Sequence, residues 1–507
     1  MRLDRARLAD WSPYLVAVAI AVLYVCFAPH TADLAGQTAR EELFRRSGFV
    51  AFWSGWYAGL PSAEYSLITP PLLGLFGAVW LGALSIVATA LIVVPMLRAS
   101  VRPRLGAIAF VVAASLDVAS GRTTFAVGAV VALAAVVAVE RRSVPLTVAL
   151  AALATATSPV AGFLLFVAAL TLLLADRSRP QVAIALAAGV AGMLGIVALL
   201  SRGTVGYEPF SRVSLLMAVA TTAVVGLAPV GARLRVAAGV TIVMLVGVYF
   251  VHSPVGANAT RIAVLAAAPT LIATAKVSQR MVLVAAGVFA ALLPLAQFHN
   301  DLSASTADDS SRAFVAPLLA QLSSDPLVKN HRVELVDTAT HWPSTYLLPK
   351  VELARGWERQ VDESRNPMFY GRGPLTARTY RDFLDRYAVG AIAVATGVPL
   401  DYGVTREAAL LKTGLPYLQL VWSDQHWRLY TVDQPTPIVA APARVLRLTD
   451  TGMTIRVPAA GNYLLRMQWS PYLAVTGGTL VETANNQVEL MLTSGGTHEL
   501  HAIWRLL

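Results

Sequence analysis

Long apolar stretches separated by short loops fill the chain from about residue 11 to residue 298 and constrain what it can fold into. Many of them approach the roughly 20 consecutive apolar residues that an α-helix needs to cross a bilayer. Over the 507 residues, 56% are hydrophobic and only 14% are charged, whereas about a quarter of an ordinary soluble domain is charged. This composition excludes a wholly soluble protein and predicts a polytopic α-helical membrane protein.

The apolar pattern predicts about eleven membrane spans. Several are shorter than roughly 20 residues, so the runs 105–139 and 144–175 are interpreted as helical hairpins with two short legs each. The alternative merges each hairpin into one long span. The predicted spans are 12–28, 73–97, 105–119, 124–139, 144–157, 160–175, 181–201, 214–232, 236–251, 262–275 and 281–298.

The placement of basic residues favours two legs for each hairpin, because basic residues concentrate in cytoplasmic loops. If every leg crosses, one side carries Arg2, Arg5, Arg7, Arg98, Arg102, Arg104, Arg141, Arg142, Arg177, Arg179, Arg233, Arg235, Lys276 and Arg280. The opposite short loops hold Arg122, Arg202, Arg212 and Arg261. We therefore expect a multi-pass protein of the cytoplasmic membrane, with a cytoplasmic N-terminus and an extracytoplasmic C-terminal domain. This excess of basic residues in the cytoplasmic loops accounts for the formal charge of +10, so the charge does not indicate a nucleic-acid partner.

Charged residues return at about residue 299, which sets the predicted domain boundaries. Residues 1–298 form the transmembrane domain, including a long first outer loop at 29–72. Strand and helix patterns alternate in 299–436, which predicts a mixed α/β domain, and short strands divided by Gly and Asn turns in 437–507 predict a β-sandwich. The polar run around Asp309 is expected to be a linker. The single cysteine, Cys26, excludes an intramolecular disulfide.

The outer loop holds the most informative residues. Asp33 lies a few residues beyond the first span, and a carboxylate at that depth is costly unless it is paired or used in function. Trp53 and Trp56 belong to an aromatic-rich stretch, which predicts helices lying in the membrane interface. The simpler alternative is an aromatic belt with a solvated charged face.

The order of motifs in this loop resembles the GT-C membrane glycosyltransferases, which use polyprenyl-phosphate sugars. An acidic residue follows the first span, and G-x-P, a tyrosine and a Pro-Pro-Leu turn come after it: Asp33, Gly59, Pro61, Tyr65, Pro70, Pro71 and Leu72. Gly121-Arg122 and Thr157-Ser158-Pro159 fit the same pattern. The segments THWPSTYLLP, LARGWERQ and NPMFYG resemble uncharacterised actinobacterial multi-pass membrane proteins.

The resemblance implies transfer of a sugar from a polyprenyl-phosphate donor to a cell-envelope glycan or glycolipid on the outer face. Asp33 is the candidate catalytic base for such a transfer. Guanidinium groups suit phosphate, so the candidate donor-phosphate partners are Arg45, Arg46, Arg122 and Arg212. The alternative for each arginine is an ordinary interface or loop cation.

The sequence departs from the metal-dependent members of that superfamily, which carry paired DxD-like acids in the first outer loop. Asp33 is followed by Leu34 and Ala35. The adjacent Glu41 and Glu42 would diverge by about 100° on a helix and would not converge on one ion. We therefore expect neither a metal site nor another cofactor.

Aromatic and charged residues crowd one proline-punctuated stretch of the C-terminal domain. Such mixtures stack on sugar faces and hydrogen-bond to their edges, so we expect the acceptor to bind at His341, Trp342, Arg355, Trp357 and Glu358. The alternative is an irregular connector that docks the domain.

A non-catalytic or transport-related envelope protein whose outer domain binds glycan is the competing functional class. The loop signature of major-facilitator carriers is absent, and no internal repeat of spans is visible. Mid-span ionisable residues are scarce. Asp117, close to the end of a short leg, fits the outer boundary better than a coupling carboxylate at the middle of the membrane.

Overall fold

The computed structural model describes residues 5–176, 178–201, 206–277, 298–303, 308–348 and 350–504, with positions 280, 284, 287, 288, 292 and 295 between them. The chain forms two compact units. Unit 1 comprises Met1–Gln37 and Tyr65–Ser303, and unit 2 comprises Thr38–Glu64 and Ala304–Leu507. The sequence placed all of 29–72 with the membrane domain, whereas 38–64 cluster with the C-terminal part of the chain.

Unit 1 is helical in its described residues. Its helices are α1 (Arg5–Phe27), the first part of α2 (Ala32–Ser47), α3 (Thr69–Phe76), α4 (Ala78–Met96), α5 (Pro103–Ala119), α6 (Thr123–Glu140), α7 (Val144–Thr157), α8 (Pro159–Ala175), α9 (Pro180–Ser201), α10 (Arg212–Leu227), α11 (Ala232–Phe250) and α12 (Arg261–Thr274). Residues 298–303 are also helical. Proline begins α5, α8 and α9, where its missing N–H costs no hydrogen bond.

The helix boundaries confirm that each predicted hairpin consists of two separate helices, α5 with α6 and α7 with α8. The predicted span 73–97 is instead divided between α3 and α4 at Gly77, whose φ of 82° is disfavoured for other residues. The predicted span 281–298 lies largely outside the described residues.

Among the described residues, five helical stretches are long and apolar enough to cross a membrane: Ala78–Met96, Thr123–Glu140, Pro180–Ser201, Ala232–Phe250 and Gly256–Thr274. A sixth results if Trp11–Phe27 and Ala32–Ser47, which meet at 77°, are taken as one broken span. Helices such as α7, with 14 residues, reach only about 21 Å, less than the roughly 30 Å hydrocarbon core. The count of eleven spans therefore stays a prediction.

The α/β part of unit 2 is built on a four-stranded sheet with the order β3-β4-β6-β5. Its strands are β3 (Arg332–Val336), β4 (Val389–Ala395), β5 (Leu418–Ser423) and β6 (Trp427–Val432). β3 and β4 are parallel, and the other pairs are antiparallel. Alternate residues of β4 face opposite cores: Ala391 and Ala393 face Phe314 and Leu318, and Ile392 faces Phe383.

Both faces of this sheet are covered by helices, which explains why the central strand β4 consists of apolar residues and glycine. The remaining helices of unit 2, in chain order, are Arg312–Ser324, Trp342–Leu347, Arg359–Arg365, Ala377–Arg386 and Thr405–Leu411. Asp309, which the sequence assigned to a linker, is 1% exposed and accepts a hydrogen bond from Thr340 at 2.9 Å.

The last part of unit 2 contains two antiparallel sheets, with strand orders β10-β13-β8-β7 and β11-β12-β9. The strands are β7 (Arg444–Thr449), β8 (Gly452–Val457), β9 (Gly461–Gln468), β10 (Leu473–Val475), β11 (Gly478–Glu482), β12 (Gln487–Leu492) and β13 (Gly496–Ala502). Met453 and Ile455 of one sheet share a core with Leu465 and Leu490 of the other. This arrangement is a β-sandwich.

Residues 38–64 are part of the core of unit 2. Strand β1 (Phe52–Trp53) pairs with β2 (Leu60–Pro61), and Gly55 accepts a hydrogen bond from the Leu353 N–H at 2.9 Å. Trp53 is 4% exposed and Trp56 is completely buried, against residues such as Leu318. The membrane-interface position predicted for these two tryptophans is therefore wrong, because their rings fill the interior of a folded domain.

Candidate active site

Three carboxylates converge on one guanidinium in unit 1. Arg122 Nε donates to Asp33 Oδ2 at 3.0 Å. Its Nη1 donates to Asp117 Oδ1 and its Nη2 to Asp301 Oδ2, each at 3.3 Å. We call these four residues the Arg122 cluster. Every nitrogen of the guanidinium is thereby engaged by a different acid.

A glycine allows Arg122 to reach the start of α2. Gly121 has a φ of +89°, and a Cβ there would lie 2.2 Å from the Leu34 nitrogen. The turn between α5 and α6 thus passes directly against the backbone of the first turn of α2, which contains Asp33. The N-terminal end of a helix also favours a carboxylate.

The cluster is partly shielded from water. The Asp117 side chain is 2% exposed, and those of Asp33 and Asp301 are 36% and 31% exposed. Burial by itself lowers the pKa of Arg122, but the three carboxylates outweigh it and raise that pKa above its ordinary value. Burial raises the pKa of Asp301, with Arg122 opposing the shift. Arg122 therefore remains charged throughout the ordinary pH range.

Arg261 is a second cation near this cluster. Its guanidinium carbon lies 4.4 Å from the centre of the Phe125 ring, and its charge interacts with those of Asp117, Arg122 and Asp33. Arg261 forms no ion pair with any carboxylate of the described part of the chain. The sequence had placed it among the few arginines of the short outer loops, but the choice of site residues missed it.

Gln37 connects the same region by hydrogen bonds to Tyr65, the tyrosine of the outer-loop motif. Gln37 Oε1 accepts a hydrogen bond from the Thr124 hydroxyl, and Gln37 Nε2 donates to the Tyr65 hydroxyl, both at 2.6 Å. Thr124 lies two residues beyond Arg122 in α6. The motif tyrosine is thus linked through one amide to the helix that begins beside Arg122.

The other arginines predicted to bind phosphate have their own partners. Arg45 pairs with Glu41 at 2.7 Å, and Arg46 pairs with Asp450 at 3.2 Å within unit 2. Arg212 is exposed at the start of α10 and donates to the Tyr249 hydroxyl at 3.3 Å. Of the four predicted arginines, Arg122 is the one that contacts Asp33.

The residues predicted to bind the acceptor belong to a buried network in unit 2. His341 lies between Asp337 at 3.3 Å and Asp401 at 3.2 Å. Its ring stacks on Trp357 with the centres 3.8 Å apart. Burial by itself lowers the pKa of His341, but the two carboxylates outweigh it and raise that pKa to about 9.

This packing leaves little surface for a sugar. His341, Trp342 and Arg355 are all at most 5% exposed. Arg355 lies 3.1 Å from Glu334 and 3.6 Å from Glu407, and Glu358 pairs with Arg40. The cavity beside His341 and Trp357 has a volume of about 20 Å³, room for about one water molecule. His341, Trp342 and Arg355 therefore contribute to the interior of unit 2, whereas Trp357 and Glu358 are half-buried. Acceptor binding at this stretch stays a prediction.

Within the described ranges, no group of three or more His, Cys, Asp or Glu side chains is placed to hold a metal ion. The carboxylates of the Arg122 cluster surround a guanidinium instead. The arrangement therefore offers a carboxylate beside two fixed organic cations, a combination suited to proton transfer next to an anionic group.

Comparisons with known proteins give a distant likeness only. No protein-family model matches the chain, and no curated protein matches it significantly. It is similar to ArnT from Cupriavidus metallidurans bound to undecaprenyl phosphate, with 12% identity and a TM-score of 0.44, covering 82% of this chain and 97% of that one. For the apo state of that protein the identity is 15% and the TM-score 0.45, with 84% and 98% covered.

Proposed function

We propose that this protein is a membrane glycosyltransferase that transfers a sugar from a polyprenyl-phosphate donor to a cell-envelope glycan or glycolipid on the outer face of the cytoplasmic membrane. The observation that carries the proposal is the Asp33 carboxylate held by Arg122 at 3.0 Å, with Arg261 interacting with the same group of charges. The motif resemblance of the outer loop supplies the reaction class.

In this reaction Asp33 accepts the proton of the acceptor hydroxyl. The hydroxyl oxygen then forms a bond to the anomeric carbon, and the bond between that carbon and the phosphate oxygen breaks. The electron pair leaves with the lipid phosphate. A carboxylate suits the role of base because it is an acceptor for the hydroxyl proton and carries no proton of its own when ionised.

The two arginines stabilise the leaving group. The donor is a phosphodiester with one negative charge, and the departing lipid monophosphate gains a second charge as the bond breaks. Arg122 and Arg261 interact with the same group of carboxylates, so they supply fixed positive charge there. Interactions that strengthen as charge develops lower the barrier, since they favour the transition state over the bound donor.

The test is release of polyprenyl phosphate from the full-length protein in lipid nanodiscs. Candidate polyprenyl-phosphate sugars are supplied one at a time with an envelope glycan fraction as acceptor. We expect Asp33→Asn to reduce the rate by about 10²-fold to 10⁴-fold, the range for loss of a general base.

The matched control is Asp382→Asn, the same change at an exposed acid of unit 2, which should keep the wild-type rate. Thermal unfolding of both variants reports whether they fold. A folded Asp33→Asn protein that transfers sugar at the wild-type rate would contradict the proposal and favour the non-catalytic, glycan-binding alternative.

A further inference from the structure

Every nitrogen of the Arg122 guanidinium already donates to a carboxylate. Nε, Nη1 and Nη2 of Arg122 each donate to a separate carboxylate. An arginine binds phosphate best through two parallel N–H donors. The two such pairs of a guanidinium are Nε with Nη2 and Nη1 with Nη2, and Nη2 is the nitrogen that donates to Asp301. A phosphate bound through either pair therefore competes with the Asp301 carboxylate.

The three acids differ in their freedom to leave. Asp117 is on α5 with its side chain 2% exposed, and the Arg122 N–H also bonds to its backbone oxygen at 3.4 Å. Asp33 is the proposed base and has to stay near the reacting hydroxyl. Asp301 lies in the helical segment 298–303 with its side chain 31% exposed. It is the acid whose release costs the site least.

Charge also opposes simple addition of a donor. Arg122 and Arg261 carry two positive charges, and Asp33, Asp117 and Asp301 together carry three negative charges when ionised. The ionised group therefore has a net negative charge, which repels a phosphodiester, and partial burial weakens the screening of that repulsion by water. Removing the charge of one acid relieves it.

We propose that Asp301 occupies the donor-phosphate position on Arg122 in the ligand-free protein, and that the phosphate displaces it with uptake of one proton by the Asp301 carboxylate. This inference rests on the proposed function and adds a regulatory step to the same site. Donor binding becomes linked to pH and favours mildly acidic conditions.

The groups that surround Asp301 favour its protonation once the phosphate is bound. They are Arg122, Asp33 and Asp117, together with the Ser120 hydroxyl. Burial already raises the pKa of Asp301, and Arg122 is the main group that opposes the shift. When phosphate binds Arg122 in place of Asp301, the guanidinium no longer lowers the pKa of Asp301, and the phosphate adds a negative charge nearby. The Asp301 carboxyl therefore binds a proton more strongly.

The experiment measures binding of farnesyl methyl phosphate, a lipid phosphodiester with a single charge that does not titrate in the range used. Full-length protein in zwitterionic nanodiscs is titrated by calorimetry at about pH 5.5 and about pH 8, so that proton uptake on binding is compared at two acidities. Two buffers with different ionisation enthalpies give the number of protons taken up. We expect uptake approaching one proton at the higher pH, and an affinity that falls by up to about tenfold per pH unit.

The Asp301→Asn variant should bind the probe without proton uptake, with an affinity at the higher pH about tenfold or more above the wild type. Asp382→Asn is the matched control and should retain the wild-type pH dependence. Binding by the wild type without proton uptake, or equal uptake by Asp301→Asn, would overturn the proposal. The wild-type titration decides the first point even if the variant folds poorly.

The same measurements separate this inference from the proposed function. Sugar transfer by a protein that binds the probe without proton uptake would refute the exchange at Arg122 and leave the enzyme assignment intact. Proton-linked binding of the probe without transfer from any polyprenyl-phosphate sugar would refute the enzyme assignment and support the exchange.

Discussion

Arg122 and Asp33 are 89 positions apart in the chain, yet the Arg122 Nε lies 3.0 Å from the Asp33 Oδ2. A charge-assisted hydrogen bond of this kind fixes the direction in which a carboxylate presents its second oxygen. Because Gly121 packs against the Leu34 backbone, the same turn that carries the arginine also sets its distance from the acid. The proposed base is thus oriented by the fold and not by its own loop.

Arg261 should matter more for transfer than the arginine of α10. Arg261→Gln removes a cation that interacts with the Arg122 cluster, and we expect kcat to fall by about 10²-fold to 10³-fold, as when one anion-stabilising donor is lost. Arg212→Gln removes an exposed arginine that bonds to Tyr249 and should change kcat little. Polyprenyl phosphate release measures both. Equal losses would show that Arg261 has no special role at the site.

Transfer should not require a divalent metal, because the positive charge beside Asp33 comes from arginine. We expect the release rate in EDTA to match the rate in magnesium. Loss of activity on chelation and its return with magnesium or manganese would reveal a coordination pair that these side chains do not show, with Glu41 and Glu42 the first to re-examine.

Replacement of Arg355 should destabilise the protein and not merely weaken acceptor binding. Arg355→Met leaves Glu334 and Glu407 buried without their cation, which costs about 3–5 kcal/mol. Arg45→Met removes an arginine whose side chain is 50% exposed and should cost less than about 1 kcal/mol. Denaturant unfolding followed by tryptophan fluorescence tests this. A normally stable Arg355→Met protein with a raised KM for acceptor would restore the acceptor-binding prediction.

The stability of unit 2 should depend on the charge of His341. Its pKa is raised from 6.5 to about 9, because Asp401 and Asp337 outweigh the effect of burial. The ion pairs therefore contribute fully below about pH 6.5, and their contribution of about 3 kcal/mol is lost as the pH rises through about 9. Unfolding measured from pH 6.5 to pH 9 should show this decline in the wild type and a weaker one in His341→Asn. Equal slopes would contradict it.

The orientation in the membrane can be tested with single cysteines in a Cys26→Ser background. An impermeant maleimide should label Asn485→Cys in intact cells and should not label Ser178→Cys, because the arginine distribution places 176–180 inside. Permeabilised cells, in which both positions should react, provide the control. Labelling of Ser178→Cys in intact cells would reverse the arrangement of the short hairpins.

The sequence by itself determined most helices of unit 1 and the alternating strands and helices that follow residue 299 in unit 2, because hydrophobic periodicity and chain breakers act locally. The two legs of each hairpin are separate helices, as Arg141 and Arg142 indicated, and β3 and β4 lie within 299–436, where strands and helices were predicted to alternate. Asp33 could also be identified from the sequence, because a carboxylate next to an apolar span is a local feature that requires no knowledge of the fold.

Only the tertiary structure decided which distant charges meet. Arg45, Arg46 and Arg122 looked equivalent in sequence, but Arg45 pairs with Glu41 one turn away on its own helix, whereas Arg46 pairs with the distant Asp450. Asp301 reaches Arg122 from 179 positions away. Burial was equally invisible: Trp56 was predicted at the membrane interface and His341 at an acceptor site, yet both side chains are buried. The local sequence shows which side chains a segment contains. Contacts between residues far apart in the chain determine whether those side chains face water, form ion pairs or pack in a hydrophobic core.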